Sequence, residues 1–596
     1  MSKQKQLKLR PKIFPAVCVP LLLLIYATTT GFNSGSSGTG KAIITQAVFE
    51  EISLTPPNSK KLIWIYFDDK NSSFSKFAIS ERSLERRTKR AGHSKLTDES
   101  DVCVSESYVR AIAETGATVR HRSRWFNAVS CYADNYQIGV ISGLDFVSKI
   151  DVVVRYKGVQ AIDEDNFMGN SVTETDDPLG LNYGPSLNQS NLINIPTAHD
   201  QGFTGRNILI ASFDAGFDNL EHFCFYRIRN SGIRSYDFVN GDTIVANGTG
   251  RMGNGAHGTL TLSLIAGYDP GNLVSPAFDA QYILAKTENT ESETPLEEDN
   301  WVAAAEWADS LGADIITSSL GYLDFNPPHQ SYTWQSMNGN TALITRAADI
   351  AVSKGIVVVT SAGNEGSNSS HNTLSAPADA FNVITVGAVT TARQRAFFSS
   401  VGPTVDGRIK PDVMALGVNN YTARPGPGGA GYLNANVGTS LACPMVAGVC
   451  AMILSANGNL SPLQVKEILR NTASNSTSPN NQMGYGVVNA WSAVQLAFVT
   501  GTNNPSDFIL SQNFPNPFNP STTFRFSLTR AAIVSLLIYD MRGRLVETIV
   551  KDQIFSAGVK DFTRDFTSTA LSSGAYFYSL IVNGQLVDTK KLMLLK

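Results

Sequence analysis

The chain has 596 residues, a length that predicts several domains rather than one hydrophobic core. Its formal net charge of −3, without a broad basic patch, excludes nucleic acid as the main partner. Six cysteines in so long a chain do not make a disulfide framework. Cys443 and Cys450 would lie about 10 Å apart on one predicted helix, too far for a bridge, so we predict no essential disulfide.

The first 30 residues resemble an export signal. Basic residues crowd the start of the chain, at Lys3, Lys5, Lys8, Arg10 and Lys12. The apolar run Ile13–Tyr26 that follows is short for a membrane span and is interrupted by prolines, which favours a cleaved signal over an uncleaved anchor. Residues 31–58 are rich in Gly and Ser and then mixed, which predicts a linker.

Residues 59–157 predict a small α+β domain. Strand-like runs alternate there with two helical runs, one of them at Ser80–Ala91. That helix carries a basic cluster, Arg82, Arg86, Arg87, Lys89 and Arg90. The cluster could be a processing site, but we favour a solvated helix face, because cleavage there would split the domain.

Residues 180–500 alternate between apolar strands and helices, which predicts an α/β domain: a parallel sheet with helices on both faces. Functional groups in such sheets collect at the carboxyl ends of the strands. Asp214 ends the strand-like run 207–213, and Asn364 follows the run 356–360. His257 stands at the start of one predicted helix, and Ser440 lies near the start of another, after Gly438, with Pro444 fitting its first turn.

These four side chains are the set that acyl transfer needs. A serine hydroxyl becomes a nucleophile when a neutral imidazole takes its proton, and a carboxylate holds the tautomer of that imidazole. An amide side chain beside a helix N-terminus supplies donors to the oxyanion. Taken singly, each residue could be a cap or a turn former, but the order Asp, His, Ser favours catalysis.

Four motifs resemble those of subtilisin-like serine proteases. They are Ile210-Ala211-Ser212-Phe213-Asp214-Ala215-Gly216-Phe217, His257-Gly258-Thr259, Ser361-Ala362-Gly363-Asn364 and Gly438-Thr439-Ser440-Leu441-Ala442-Cys443-Pro444. The resemblance implies a triad of Asp214, His257 and Ser440, with Asn364 in the oxyanion hole. It further implies that Ser319, Leu320, Gly321, Ala362 and Gly363 bind an extended substrate. No cofactor is implied for catalysis, while structural calcium remains open.

The flanking regions carry two further resemblances. Residues 59–157 resemble the inhibitory propeptide of this family, notably at Phe67-Asp68-Asp69-Lys70 and Ser123-Arg124-Trp125-Phe126-Asn127. Residues 505–596, an expected all-β domain with an Ig-like sandwich, resemble the type IX secretion sorting domain of Bacteroidetes-type bacteria through the run 513–520. The implied partners are polypeptide substrates, the chain's own propeptide and the type IX machinery. The implied location is secreted or attached to the cell surface, after export through the periplasm.

Two questions stay open at this level. The acidic stretch Glu288, Glu291, Glu293, Glu297, Glu298 and Asp299 could bind calcium, could select basic substrate side chains, or could stabilise the dipole of the following helix. Tyr322 replaces a glycine that is common in the family, so the mouth of the S1 pocket could differ. The leading hypothesis is a secreted, autoprocessed serine endopeptidase. The alternative is a catalytically weak surface adhesin on the same scaffold.

Overall fold

The computed structural model of the chain describes most residues between 42 and 595. The described ranges are 42–71, 79–90, 96–153, 156–157, 181–253, 255–326, 329–368, 370–426, 428–500, 508–528, 531–556, 558–569 and 571–595. The predicted export signal at 1–30 and the first part of the predicted linker lie outside these ranges.

The N-terminal domain is a five-stranded sheet covered by short helices. In spatial order its strands are Ile43–Ile44, Val147–Val152, Lys61–Phe67, Ala128–Ala133 and Thr118–Ser123. Its helices are Gln46–Leu54, Glu81–Arg90, Glu106–Glu114 and Asn135–Ile141. All neighbouring strands are antiparallel except the first pair. The small α+β domain has therefore formed as the apolar runs predicted.

The start of this domain differs from the sequence prediction. Residues 43 and 44, within the expected linker 31–58, pair in parallel with Lys149 and Ile150. The helix Gln46–Leu54 follows them and buries Val48 in the domain core. A two-residue strand followed by one short helix has too little periodicity to be seen in a mixed sequence.

The central domain contains a seven-stranded parallel sheet. Its spatial order is Val413–Leu416, Ile384–Val389, Val357–Ser361, Ile315–Ser318, Leu209–Asp214, Gln281–Lys286 and Arg234–Asp237. Its helices are Leu187–Leu192, Ile195–Asp200, Tyr226–Ser231, His257–Ala266, Leu296–Leu311, Leu343–Ser353, Thr439–Ala456, Pro462–Thr472 and Ala490–Val499. An antiparallel hairpin, Val418–Ala423 with Tyr432–Val437, leads into the helix that carries Ser440.

Helices cover both faces of this sheet, as predicted. Successive residues of a strand point to opposite faces, so Ile210 packs into one core and its neighbours Leu209 and Ala211 into the other. The first core holds the Ser440 helix (Thr439–Ala456) and the His257 helix (His257–Ala266). The second core holds the Trp301 helix (Leu296–Leu311), and the N-terminal domain adds Trp64 and Trp125 to it.

The C-terminal domain consists of two antiparallel sheets around one core. The strands of the first sheet are Phe508–Leu510, Ser521–Leu528 and Gly558–Asp565. Those of the second sheet are Leu545–Phe555, Ala532–Tyr539, Gly574–Val582 and Gln585–Leu594. A turn at Asn583-Gly584 closes a hairpin in which Val582 pairs with Gln585. The all-β prediction is confirmed.

Within the described residues, one helix is long and apolar enough to cross a membrane. It is the Ser440 helix, and 89% of its apolar window is buried inside the protein. It is the central helix of the larger core.

Candidate active site

Asp214 and His257 meet at the carboxyl end of a central strand. The His257 Nδ1 lies 2.8 Å from Asp214 Oδ1, and the carboxylate is fully buried while the imidazole is about one-third exposed. Asp214 also accepts hydrogen bonds from the backbone N–H of Ala215 and from the hydroxyl of Thr261, each at 2.8 Å. The carboxylate is therefore fixed from three sides.

Ser440 lies at the start of its helix, in the first turn, where backbone N–H groups have no partner within the helix. Gly438 precedes the helix with φ 151°, and a Cβ there would lie 2.8 Å from Ser440 Oγ. Only glycine keeps this space open. Pro444 is the sixth residue of the helix, so its predicted place in the first turn is wrong. Its missing N–H deprives the Ser440 carbonyl of its helical donor.

Asn364 is exposed and faces the same point as Ser440. Its Oδ1 accepts hydrogen bonds from the Thr439 backbone N–H at 3.0 Å and from the Thr439 hydroxyl at 2.9 Å. Because a backbone N–H can only donate, this pairing assigns the oxygen and leaves Nδ2 for the cleft. A Cβ on Gly438 would lie 3.8 Å from Asn364 Nδ2 and 2.8 Å from Ser440 Oγ, so the amide and the hydroxyl border the same point.

Two segments that follow neighbouring strands form the sides of a slot beside Ser440. Ser318 pairs in register with Thr360, so 319–321 and 361–363 emerge side by side. The Ser361 hydroxyl donates to the Leu320 carbonyl at 3.1 Å and ties the two segments together. A Cβ on Gly321 or Gly363 would lie 2.3 or 2.7 Å from Ser375 Oγ, so both positions need glycine. The predicted substrate-binding residues thus lie together.

Cys443 is one turn beyond Ser440 but is no second nucleophile. Burial raises the pKa of its thiol to about 12. Its Sγ lies 3.6 Å from the Ser318 carbonyl, within the protein interior. The thiol therefore stays protonated and acts as a packing group.

The basic cluster on Glu81–Arg90 is not a solvated face, and that prediction is wrong. Arg86, Arg87 and Arg90 are buried against the central domain. Arg86 and Arg87 bind Asp309 at 2.5 and 2.8 Å, and Arg90 binds Asp314 at 2.9 Å. Their partners are more than 200 positions away in sequence, so the helix alone gave no sign of them.

The acidic stretch is more buried than a helix start requires. Glu288, Glu297 and Glu298 are each less than a tenth exposed. Burial raises the pKa of Glu298 to about 8. In the part of the chain that the structure describes, no three His, Cys, Asp or Glu side chains are placed to hold a metal ion. Tyr322 is also buried, and its hydroxyl donates to Glu288.

Sequence reasoning missed two residues that position this site. Thr261 lies four residues after His257 on one helix face, a spacing that brings it to the same carboxylate. Thr439 was visible only as part of a motif, although its backbone and hydroxyl orient Asn364.

Comparison with known proteins decides the family. The Subtilase family profile matches residues 205–486, the profile of the peptidase S8 propeptide domain of Bacteroidota matches 62–186, and that of the secretion system C-terminal sorting domain matches 512–595. Subtilisin of Bacillus pumilus is 35% identical over 307 residues, which are 51% of this chain and 96% of the relative. The chain belongs to the subtilase family. Subtilisin NAT of Bacillus subtilis subsp. natto is 31% identical, over 64% of this chain and 85% of the relative.

Membership of the subtilase family makes the protein a serine-type endopeptidase with a propeptide domain. The C-terminal sorting domain indicates type IX export, followed by secretion or attachment to the cell surface. No comparison supports the alternative of an adhesin.

Proposed function

We propose that this subtilase hydrolyses peptide bonds through an acyl-enzyme on Ser440. The observation that carries the proposal is the 2.8 Å contact between His257 Nδ1 and the buried Asp214. Ser440 Oγ and Asn364 Nδ2 in turn lie 2.8 and 3.8 Å from one point, the Cβ position of Gly438. The Asp214 carboxylate holds the imidazole with its proton on Nδ1, so that Nε2 can accept one.

The reaction then proceeds in two halves. Ser440 Oγ attacks the scissile carbonyl carbon while its proton passes to His257 Nε2, and the carbonyl oxygen becomes an oxyanion. Asn364 Nδ2 and the backbone N–H of Ser440 stabilise that charge. His257 returns the proton to the leaving amine, and a water molecule, deprotonated in the same way, releases the acyl group. This chemistry calls for no cofactor.

The substrate is an extended polypeptide. Ser319-Leu320-Gly321 follows a central strand and is proposed to pair with the residues on the acyl side of the scissile bond. Ala362 and Gly363 would line the opposite side of the slot.

The enzyme is proposed to be made as an inactive precursor that cuts itself. The propeptide domain packs on the central domain through the Trp301 helix, and the backbone of Tyr156–Lys157 pairs with that of His329–Gln330. The propeptide would thus end on the catalytic domain, and a cut within 157–182 would be intramolecular. Such a reaction gains from a high effective concentration and is independent of dilution.

Expression of Ser440→Ala in a host without other proteases tests this function. The variant should accumulate as the longer form that retains the propeptide, whereas wild type should be processed at a rate that dilution leaves unchanged. Processing of Ser440→Ala to the same length would exclude self-cleavage.

A further inference from the structure

Four acidic side chains are grouped between two segments beside Asp214. We call Glu288, Glu293, Glu297 and Asp324 the acidic cleft. Glu288 and Glu293 belong to the segment after the strand Gln281–Lys286, and Glu297 lies in the first turn of the Trp301 helix that follows. Asp324 belongs to the segment after Ile315–Ser318. The two segments are held together because the Asn326 N–H donates to the Glu293 carbonyl at 2.7 Å.

The acidic cleft adjoins both the catalytic pair and the substrate-pairing segment. The Thr287 N–H donates to the Asp214 carbonyl at 3.1 Å, which sets Glu288 beside that residue. On the other side, Tyr322 directly follows Gly321, and its hydroxyl donates to Glu288 Oε1 at 2.5 Å. A substrate paired with Ser319-Leu320-Gly321 would therefore pass the cleft with its side chains.

Among the described residues, the carboxyl groups of the acidic cleft have no lysine or arginine partner, and the positive group that acts on Glu288 is protonated His257. Glu297 is only 1% exposed, and no hydrogen bond reaches its Oε1 from any residue the structure describes. Its Oε2 accepts from Thr294, and Glu288 accepts from the hydroxyls of Tyr322 and Thr287. Among the described residues, no Lys or Arg forms an ion pair with Glu288, Glu293 or Glu297.

A buried carboxyl oxygen without a donor is costly, and a ligand that brings donors would remove that cost. Burial comes first, followed by the charges of Glu288 and Glu293, in raising the pKa of Glu297. Burial likewise raises the pKa of Glu288, with Asp214 adding to the effect. A cation that enters the cleft would favour the ionised carboxylates and expel protons.

The shape of the cluster favours an organic cation over a metal ion. Calcium needs six to eight oxygen ligands around one point, whereas no three acidic groups converge within the described ranges. An ammonium or guanidinium group on a flexible stem has several donors and reaches carboxylates that are spread along a cleft. Glu293 and Asp324 are exposed at the mouth, where they would meet the cation first.

We propose that the acidic cleft binds a lysine or arginine side chain of the polypeptide substrate, on the acyl side of the scissile bond. The inference rests on the proposed function of Ser440 and adds a substrate class to it. Cleavage sites in natural substrates would then carry a basic residue upstream of the cut.

Fluorogenic peptides test the proposal with the active enzyme purified from the full-length gene product. Each of the four positions before the scissile bond carries in turn lysine, arginine, glutamate or the neutral isostere norleucine. At one of these positions, kcat/KM for the basic peptide should exceed that for norleucine by about tenfold or more, with glutamate poorest. The ratio of lysine to norleucine should rise with pH across neutrality, because the carboxyl groups ionise. Equal rates for lysine and norleucine at all four positions would overturn the proposal.

Substitutions test whether the preference for lysine over norleucine arises in the acidic cleft. Glu297→Gln and Glu288→Gln should each bring the ratio of lysine to norleucine towards one. The matched control Glu291→Gln, an exposed acid of the same segment, should leave the ratio unchanged. A preference that survives both glutamine variants would overturn the assignment to this cleft. If a glutamine variant fails to fold, the wild-type comparison still decides. Failure of the proposed function would look different, since no peptide of the set would be cleaved.

Discussion

The hydroxyl of Ser319 donates a hydrogen bond to the carbonyl oxygen of Ser440 at 2.8 Å. In an unbroken helix that carbonyl would accept from the residue four positions later, but the residue there is Pro444, which has no N–H. The segment proposed to pair with substrate therefore supplies the donor that the helix lacks. The peptide unit of the proposed nucleophile is held by the neighbouring strand end.

Loss of this hydrogen bond should lower both stability and turnover. Ser319→Ala leaves the partly buried Ser440 carbonyl without this donor, at a cost of about 0.5–1.5 kcal/mol in the free energy of unfolding. We expect kcat to fall about tenfold, as Ser440 loses its fixed position. The double variant Ser319→Ala/Pro444→Ala should recover part of the loss, because residue 444 would again carry an N–H. A double variant no better than Ser319→Ala would argue against this explanation.

Removal of the amide of Asn364 should act on the transition state. Asn364→Ala is expected to lower kcat by about 10²–10³, the usual loss for one oxyanion donor. Asn368→Ala is the control, since Asn368 is exposed in the same loop and its side chain bonds to its neighbours Ser370 and His371. Steady-state kinetics on one peptide would measure both variants. An effect of Asn364→Ala confined to KM would contradict the assignment.

The propeptide should depend on Asp309 for tight binding. This buried carboxylate binds three guanidinium groups of the propeptide domain, from Arg86, Arg87 and Arg124, at 2.5 to 2.8 Å. Breaking a buried pair costs about 3–5 kcal/mol, so Asp309→Asn should raise the inhibition constant of the propeptide at least about 100-fold. Glu106→Gln breaks the exposed pair with Arg122 and should change little. Equal inhibition constants for wild type and Asp309→Asn would contradict this prediction.

Acidification should weaken propeptide binding by protonating Asp309. Although burial opposes ionisation, the guanidinium groups of Arg86, Arg87 and Arg124 hold the pKa of Asp309 below its ordinary value of 3.8. A carboxylate whose pKa is lowered in the complex stabilises that complex at pH values above its ordinary pKa. This stabilisation is lost as the pH falls from the ordinary pKa through the lowered one. The ratio of dissociation constants between Asp309→Asn and wild type should therefore shrink on acidification below about pH 4. Glu306, whose pKa burial raises, acts in the opposite sense but is common to both proteins. A ratio that does not change with pH would count against Asp309 as the acid-sensitive group.

The C-terminal domain should direct export without taking part in catalysis. It has its own hydrophobic core and contributes none of the proposed site residues. A chain that ends before Pro505 should be active when purified but should remain inside its native host. Cell fractionation would measure this. Normal arrival of the truncated chain at the surface would refute the sorting role.

Much of the fold and of the candidate site could be predicted because the signals are local. Apolar runs such as 207–213 mark buried strands, and the residues that end them, Asp214 among them, fall at the sheet edge. The contacts of the helix Glu81–Arg90 could not be predicted in this way. Arg86 is typical of a solvated face until Asp309, 223 residues later, is known to lie against it. The role of Ser319 was equally hidden, because it follows from Pro444 on another element.

The assignment of Ser440 as the nucleophile can be tested directly with an organophosphonate that reacts with activated serines. The active enzyme is labelled and digested, and the modified peptide is located by mass spectrometry. A single adduct on Ser440 is expected, formed far more slowly in His257→Ala, since the imidazole removes the serine proton. An adduct on another residue, or none on a folded wild-type enzyme that still cleaves peptides, would contradict the account.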